Sequence, residues 1–218
     1  MDKNKKPSIG LNYNKAIKQN KNFMYNDLKR SNCYNCDFTG SNFNFTSFRG
    51  AHFKDCNFFE CTFKSAEFVG SNLKKSRFKR AKFEDTVFEG ANLSGADFRD
   101  AKFKNVIFVG TDLSTAKNLE FDKSAVRIFE EAPAIDISEN LKKAIDSALE
   151  NEKIKRSRLL DNKDGDINTL SIMILLEKFN EKSLISGLKI LCDRADRDFC
   201  TLSYIIKSIQ TYQKEGIL

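Results

Sequence analysis

Every fifth residue is apolar over much of the first half of this chain, and this spacing limits what the chain can fold into. From Leu28 to Leu113 each fifth residue is Phe, Leu or Cys. A second series of small side chains, from Ser31 to Thr111, lies two residues before these positions. Neither a helix, with its period of about 3.6, nor an alternating strand has a period of five. Such a chain can bury both series by turning a corner after every five residues and stacking the resulting coils.

A second, longer period gives the length of one coil. Gly50, Gly70, Gly90 and Gly110 recur every twenty residues. Four sides of five residues therefore make one turn of the coil. Residues that are twenty positions apart are predicted to lie beside each other on successive turns, at the spacing of about 4.8 Å between neighbouring strands.

The segments GSNLKKSRFKRAKF and GANLSGADFRDAKF carry both periods and resemble the pentapeptide-repeat family. The motif of that family is a small residue, Asp or Asn, Leu or Phe, a polar residue and then often Gly. The resemblance covers residues 26 to about 117. It implies a right-handed quadrilateral parallel β-helix, which would make about 4.5 coils over this length at twenty residues per coil.

The sequence predicts a mainly β protein with an α-helical part. Residues 1–25 are predicted to form a basic N-terminal segment or cap, residues 26–119 the β-helix, and residues 120–218 a helical bundle that caps its open end. Apolar residues at spacings of three and four predict four helices in the bundle, the first of them capped by Ser138. No family resemblance is evident for this bundle.

Two motifs look like metal sites, but their positions argue against this interpretation. The first consists of thiols near His52, which resemble zinc ligands: Cys33, Cys36, Cys56 and Cys61. All four occupy inward positions of the coil, where cysteine serves as a small apolar residue.

The second motif is DNKDGDIN, which resembles a calcium-binding loop. If Gly165 takes the sixth position of such a loop, Leu160 takes the first and Ser171 the twelfth, where carboxylates are required. We therefore predict a polar turn there, and no metal or cofactor.

Basic residues are in moderate excess, with 37 Lys and Arg against 30 Asp and Glu and a formal net charge of +7. The run KKSRFKRAK looks like a nucleic-acid patch, but stacking at twenty residues places several of its charges beside acidic ones, such as Arg80 beside Glu60. Two columns are left without such partners and are candidates for an interaction surface: Lys79 with Arg99, and Lys82 with Lys102.

Four aliphatic side chains are predicted to point outward on one face of the coil: Val69, Val87, Ile107 and Val109. Exposed aliphatic clusters usually mark a contact surface. The chain after the repeats is one predicted cover for this face, and a partner or a second copy of the chain is the other.

Function is predicted to lie on the outside of the coil, because stacked Phe rings leave no interior pocket for a substrate. We expect a non-enzymatic protein-interaction scaffold, with an unidentified protein partner or a second copy of itself.

The family resemblance adds an alternative, because some pentapeptide-repeat proteins bind DNA gyrase by mimicking DNA. The segment from Asp27 to Asp112, however, contains 14 basic and 11 acidic residues, so its formal net charge is +3. A DNA mimic requires the opposite sign. Direct nucleic-acid binding is a second alternative.

The N-terminal lysines are not followed by the apolar stretch of a secretory signal, and no apolar run is long enough to cross a membrane. The sequence therefore predicts a cytoplasmic protein that keeps its six cysteines as thiols.

Overall fold

The computed structural model describes residues 10–218. Contacts divide the chain into two compact units, the first ending at Glu131 and the second spanning Ala132–Leu218. The first unit is a coil of short parallel strands and the second is helical. Both parts of the predicted fold class are therefore confirmed.

The coil turns a corner at every fifth residue. All residues at this spacing from Lys15 to Gly110 have a positive φ, between +49° and +68°. Glycine adopts this left-handed conformation without a steric penalty, and Asn and Asp tolerate it better than most other residues. This explains why Gly50, Gly70 and Gly90 recur at one corner and why Asp85, for example, is placed at another.

Ten short strands lie along the sides of the coil in chain order: β1 (Asn12–Asn14), β2 (Asn32–Tyr34), β3 (His52–Lys54), β4 (Thr62–Lys64), β5 (Glu67–Val69), β6 (Lys82–Glu84), β7 (Val87–Glu89), β8 (Lys102–Lys104), β9 (Val106–Val109) and β10 (Val126–Phe129). We number the four sides faces 1 to 4 in chain order. Face 1 contains β1–β3, face 3 contains β4, β6 and β8, and face 4 contains β5, β7, β9 and β10. Face 2 is built from isolated bridges, such as those joining Asp37 to Asn57 and Asn57 to Arg77.

The register between strands is parallel with an offset of twenty residues, so that Phe83 pairs with Phe63 and Phe103. Three of the four inward columns are stacks of phenylalanine rings. In the column of face 4, the centroids of Phe48, Phe68, Phe88 and Phe108 are 4.4 to 4.9 Å apart. The neighbouring columns contact each other edge-on or tilted, as do the rings of Phe58 and Phe63. These are the geometries that aromatic quadrupoles favour.

The coil starts earlier than the predicted residue 26. Strand β1 pairs with β2, and Ile17 bridges to Asp37, so the described part of the predicted N-terminal segment is coil rather than a separate cap. Residues 1–9 of that segment lie outside the described residues. The inward series continues backward through Phe23 and Tyr13 and is interrupted only by Lys18, whose amino nitrogen lies 4.6 Å from the centre of the Tyr13 ring. This interruption hid the first coil from the sequence analysis.

The coil also continues past residue 119. Strand β10 pairs with β9 in the same register of twenty residues, with Val126 beside Val106 and Phe129 beside Val109. The regular corners end at Gly110, and a short 3-10 helix, Lys123–Ala125, precedes β10. The coil therefore makes about six turns rather than 4.5.

The second unit consists of five helices: α1 (Glu139–Ala148), α2 (Glu152–Ser157), α3 (Thr169–Lys178), α4 (Glu181–Arg194) and α5 (Leu202–Lys214). Four of them lie where helices were predicted, and Ser138 caps α1 by accepting a hydrogen bond from the backbone N–H of Leu141. The sequence analysis missed the short helix α2, which buries only Ile154.

Helix α4 lies at the centre of this unit and contacts α1, α3 and α5. Its inward residues Leu184, Leu188 and Leu191 are fully buried. Asn151 joins α2 to α4: its side-chain oxygen accepts hydrogen bonds at the start of α2, and its amide nitrogen donates to the backbone oxygens of Cys192 and Ala195 at 2.7 and 3.3 Å. The core of the second unit therefore includes a polar link between helices that are distant in sequence.

Within residues 10–218, no helix is both long enough and apolar enough to cross a membrane.

Candidate interaction faces

Each strand of the coil presents two side chains outward, on either side of its buried central residue. Along a strand these two are about 6.6 Å apart, and between coils each is about 4.8 Å from its counterpart. The outer surface of a face is therefore a grid of two columns, whose chemistry is set by the residues that precede and follow each inward Phe or Leu.

Face 3 is strongly charged along three of its strands. Its strands β4, β6 and β8 present one threonine, one glutamate and four lysines: Thr62, Lys64, Lys82, Glu84, Lys102 and Lys104. The formal charge of these six residues is +3. The side chains of Lys64 and Lys104 approach the same Oε1 atom of Glu84, at 3.2 and 3.1 Å. Hydrogen bonds from these two lysines hold the pKa of Glu84 below its ordinary value.

Lys82 and Lys102 are placed differently from the other two lysines of face 3. They pair directly in the register between β6 and β8, and both are exposed. Neither makes an ion pair with any residue in the described part of the chain. Like charges on directly opposed residues of neighbouring strands destabilise a sheet. Face 3 therefore carries two adjacent positive charges that the coil itself does not neutralise.

The second predicted basic column, on face 2, is partly neutralised. The guanidinium of Arg99 lies 4.0 Å from the carboxylate of Asp97 on the same side of the coil. Burial raises the pKa of Asp97, but hydrogen bonds from Asn118 and from the backbone of Arg99 outweigh this effect and leave the pKa below its ordinary value. Arg80 pairs with Glu60 at 3.1 Å, as the twenty-residue period predicts. Lys79 is half-buried.

Face 4 is largely aliphatic. The register places Val87 beside Ile107, and Glu89 between Val69 and Val109. Ile107 and Val109 are each only 3% exposed, whereas Val69 and Val87 keep part of their surface accessible. Burial raises the pKa of Glu89 above its ordinary value. The four predicted residues thus share a face, but only the two nearer the start of the coil remain open to solvent.

The cysteines of the coil are core residues. Cys33, Cys56 and Cys61 are completely inaccessible to solvent and Cys36 is 2% exposed. Burial raises the pKa of the Cys33 and Cys61 thiols to about 12 and raises that of Cys56 as well. Thiols with so high a pKa are poor nucleophiles and poor metal ligands at neutral pH.

The other motifs that resemble metal sites have structural explanations. His52 is exposed on face 1 between Asn32 and Asn72. At the turn that resembles a calcium loop, the side-chain oxygen of Asn162 accepts hydrogen bonds from two backbone N–H groups. Leu160, which would be the first ligand, is fully buried. Among residues 10–218, no group of three or more His, Cys, Asp or Glu side chains is placed to hold a metal ion.

Part of the charged grid on face 3 was not predicted. The twenty-residue period identified the column of Lys82 and Lys102 but not Lys64, Glu84 and Lys104, which lie two residues further along the same strands. The alternation of outward and inward residues within each five-residue side could have identified the neighbouring column.

Comparisons with known proteins agree with this description of the coil. A family model described as pentapeptide repeats matches residues 22–55, 56–95 and 81–117, with eight copies in all. None of the curated proteins matches the chain.

The solved structures that match the chain are distant in sequence and have low TM-scores. One is QnrB1, a plasmid-mediated fluoroquinolone resistance protein, with 16% identity and a TM-score of 0.33 over 54% of this chain and 84% of that one. Another is Rfr23, a pentapeptide-repeat protein from the cyanobacterium Cyanothece 51142, with 23% identity and a TM-score of 0.30 over 54% and 88% of the two chains. HetL from Nostoc sp. strain PCC 7120, involved in heterocyst differentiation regulation, has 17% identity and a TM-score of 0.27 over 49% of each chain.

The match to the family model lies within the coil. The matched residues, the five-residue sides and the twenty-residue coil agree with one another, and no family model matches the helices that follow. Residues 22–117 of this chain therefore consist of pentapeptide repeats, the sequence unit that the family model describes.

Proposed function

We propose that this chain is a non-enzymatic interaction protein that uses the outer faces of its coil to bind another macromolecule. The observation that carries this proposal is the contrast between two faces of the same coils. Face 3 presents six outward side chains with a formal charge of +3, whereas the corresponding strands β5, β7 and β9 of face 4 carry four aliphatic and two acidic side chains. Of these six, Val69, Val87 and Glu89 keep part of their surface accessible. Each face thus offers a partner a flat surface of distinct chemistry.

The packed interior of the coil favours a functional site on its outer surface. Rings in stacking contact occupy it along three columns, and its thiols are buried, with raised pKa values wherever a shift is resolved. Enzymes desolvate their substrates in a cleft lined by a few converging polar groups. The polar groups of this coil are instead spread over its outer faces.

The charge of the coil argues against the other two candidate functions. A DNA mimic that protects DNA gyrase needs a negatively charged surface, and face 3 has the opposite sign. Binding to duplex DNA needs a stripe of phosphate-contacting cations, whereas on face 2 the cations Arg80 and Arg99 are paired with carboxylates. We therefore propose a protein partner.

The test uses the full-length chain as bait in a native lysate, with captured proteins quantified by mass spectrometry. Four variants each change one face: Lys54→Glu on face 1, Arg99→Glu on face 2, Lys102→Glu on face 3 and Val87→Lys on face 4. All four side chains point away from the core, so circular dichroism should be unchanged. We expect at least one captured protein to be lost with one variant and retained with the other three. Captured proteins that respond to none of the four changes would contradict the proposal.

A further inference from the structure

The chemistry of face 3 identifies the kind of partner more closely. The lysine grid, defined as Lys64, Lys82, Lys102 and Lys104, surrounds the single carboxylate of Glu84. The Oε1 atom of Glu84 forms ion pairs with both Lys64 and Lys104. Lys82 and Lys102 remain without an ion pair within residues 10–218, although they are neighbours in register. The arrangement leaves the pair of Lys82 and Lys102 beside a cluster of two lysines that share one carboxylate.

This arrangement has an electrostatic cost for the isolated chain. Two ammonium groups on adjacent strands repel each other, and flexible lysine side chains relieve only part of that repulsion by turning apart. An anion placed between them would remove the repulsion and gain attraction from both. The other charged residues on these three strands add one further positive charge, because two lysines, Lys64 and Lys104, accompany the single carboxylate of Glu84.

We propose that the lysine grid on face 3 is the docking surface for a carboxylate-rich segment of a protein partner, a conclusion that rests on the proposed function above. Outward neighbours on face 3 are about 4.8 Å apart between coils and about 6.6 Å apart along a strand. Acidic side chains three or four positions apart on a helix have Cβ atoms about 5–6 Å apart, which falls within this range. A ridge of Glu or Asp residues can therefore contact several of the lysines at once.

The same features disfavour nucleic acid as the ligand. Modules that bind single strands interleave cations with aromatic side chains on which the bases stack. The outward positions of β4, β6 and β8 carry no aromatic residue, and their inward Phe63, Phe83 and Phe103 belong to the core stack. Duplex binding relies on many phosphate contacts. The grid spans only three strands and therefore offers few such contacts.

The test measures binding of a fluorescent twelve-residue polyglutamate peptide to the full-length protein by anisotropy at low and near-physiological salt. The variant Lys82→Glu/Lys102→Glu should weaken binding at least tenfold. The matched control, Lys54→Glu/Lys74→Glu, makes the same change in net charge on face 1, where both lysines are also outward and lie one coil apart. It should change binding less than threefold.

A single substitution tests the role of the central carboxylate. Glu84→Gln frees Lys64 and Lys104 and should strengthen peptide binding about threefold, whereas Asp55→Asn, with the same change in net charge at a corner of face 1, should have a smaller effect. Equal effects of the two paired charge reversals, or no binding by the wild-type protein at low salt, would overturn the inference. So would tighter binding of a twenty-base-pair DNA duplex than of the peptide, if Lys82→Glu/Lys102→Glu abolished it.

These outcomes can be separated from failure of the proposed function. If the peptide does not distinguish the two faces but lysate capture depends on a face other than face 3, the interaction function stands and the acidic docking surface fails. If lysate capture depends on none of the four faces, the proposed function fails regardless of the peptide result.

Discussion

The coil and the helical unit differ in how a residue acquires its neighbours. In the coil, each side chain lies beside the residues twenty positions before and after it, so that Arg80 meets Glu60 and Phe83 meets Phe63. In the helical unit, the neighbours of a side chain depend on how separate helices pack, as when Asn151 bonds to the backbone of Cys192. Sequence position alone therefore specifies contacts in the first unit, whereas in the second it specifies only which side of each helix is buried.

The strongest test of this contrast is a charge in the ring stack. Phe83 is 1% exposed, and the centre of its ring is 5.0 Å from that of Phe63 and 5.3 Å from that of Phe103. Phe83→Asp should unfold the coil, because burying an unpaired carboxylate costs several kcal/mol. In a denaturation curve followed by circular dichroism, the transition of the coil should be lost while helical signal remains.

Lys82→Asp is the control for this prediction, because it introduces the same side chain one residue away but on the outside of the coil. It should leave the denaturation midpoint of the coil nearly unchanged. Equal damage from the two substitutions would mean that the inward and outward assignment of these positions is wrong.

A smaller effect is expected at the small inward positions. The hydroxyl of Ser76 donates to the backbone oxygen of Phe53 at 2.6 Å and accepts from the backbone N–H of Cys56 at 3.0 Å. Ser76→Ala should lower the free energy of unfolding by about 1–3 kcal/mol, because it leaves buried polar groups without these bonds. Urea denaturation would measure this loss of free energy, provided that the m-value of the variant equals that of the wild-type protein.

Ser71 provides the matched control for Ser76. It occupies an equivalent small position on face 1, is 1% exposed, and its Oγ is buried without a hydrogen-bond partner. Ser71→Ala should therefore be neutral or slightly stabilising. A larger loss at Ser71 than at Ser76 would contradict the role assigned to these hydrogen bonds between coils.

The smallest predicted effect concerns two helix caps of the second unit. Asn151 and Asn180 both accept backbone hydrogen bonds at a helix start, but only Asn151 also donates to the end of α4. Asn180→Ala should cost about 1 kcal/mol, the typical value for loss of a cap, and Asn151→Ala should cost more, up to about 2 kcal/mol. Thermal unfolding of the helical signal would compare them, and equal losses would mean that the link between α2 and α4 contributes nothing.

The coil and the helical unit also differ in how much of their fold could be predicted from the sequence. The two periods predicted the parallel coil, its inward residues and the pairing of Arg80 with Glu60, because all of these follow from fixed offsets in sequence. They failed where the offset is interrupted. Lys18 replaces an apolar residue in the first coil, and the irregular segment before β10 hides the last strand. The helical stripes predicted four helices, but the link made by Asn151 depends on tertiary packing, which periodicity does not encode.

The candidate site was predicted only in part, for a related reason. Offsets of twenty identified the column of Lys82 and Lys102, but the charge balance of face 3 also depends on residues two positions further along each strand. Glu84 forms ion pairs with lysines of the preceding and the following coil. On face 4, the burial of Ile107 and Val109 could not be derived from the repeat, because an outward position in the repeat does not determine how much of a side chain remains exposed.

The left-handed corners constrain how this chain can change in length. Each side of the coil ends at one residue with positive φ, so an inserted segment preserves the corners only if it adds five residues or a multiple of five. An insertion of five would still move every later residue onto the next face, so that the lysines of β8 would join the column that now belongs to face 4. Only an addition or loss of twenty residues returns each side chain to its own column. In the gene, the coil can therefore lengthen or shorten without mixing its surfaces only in steps of sixty nucleotides.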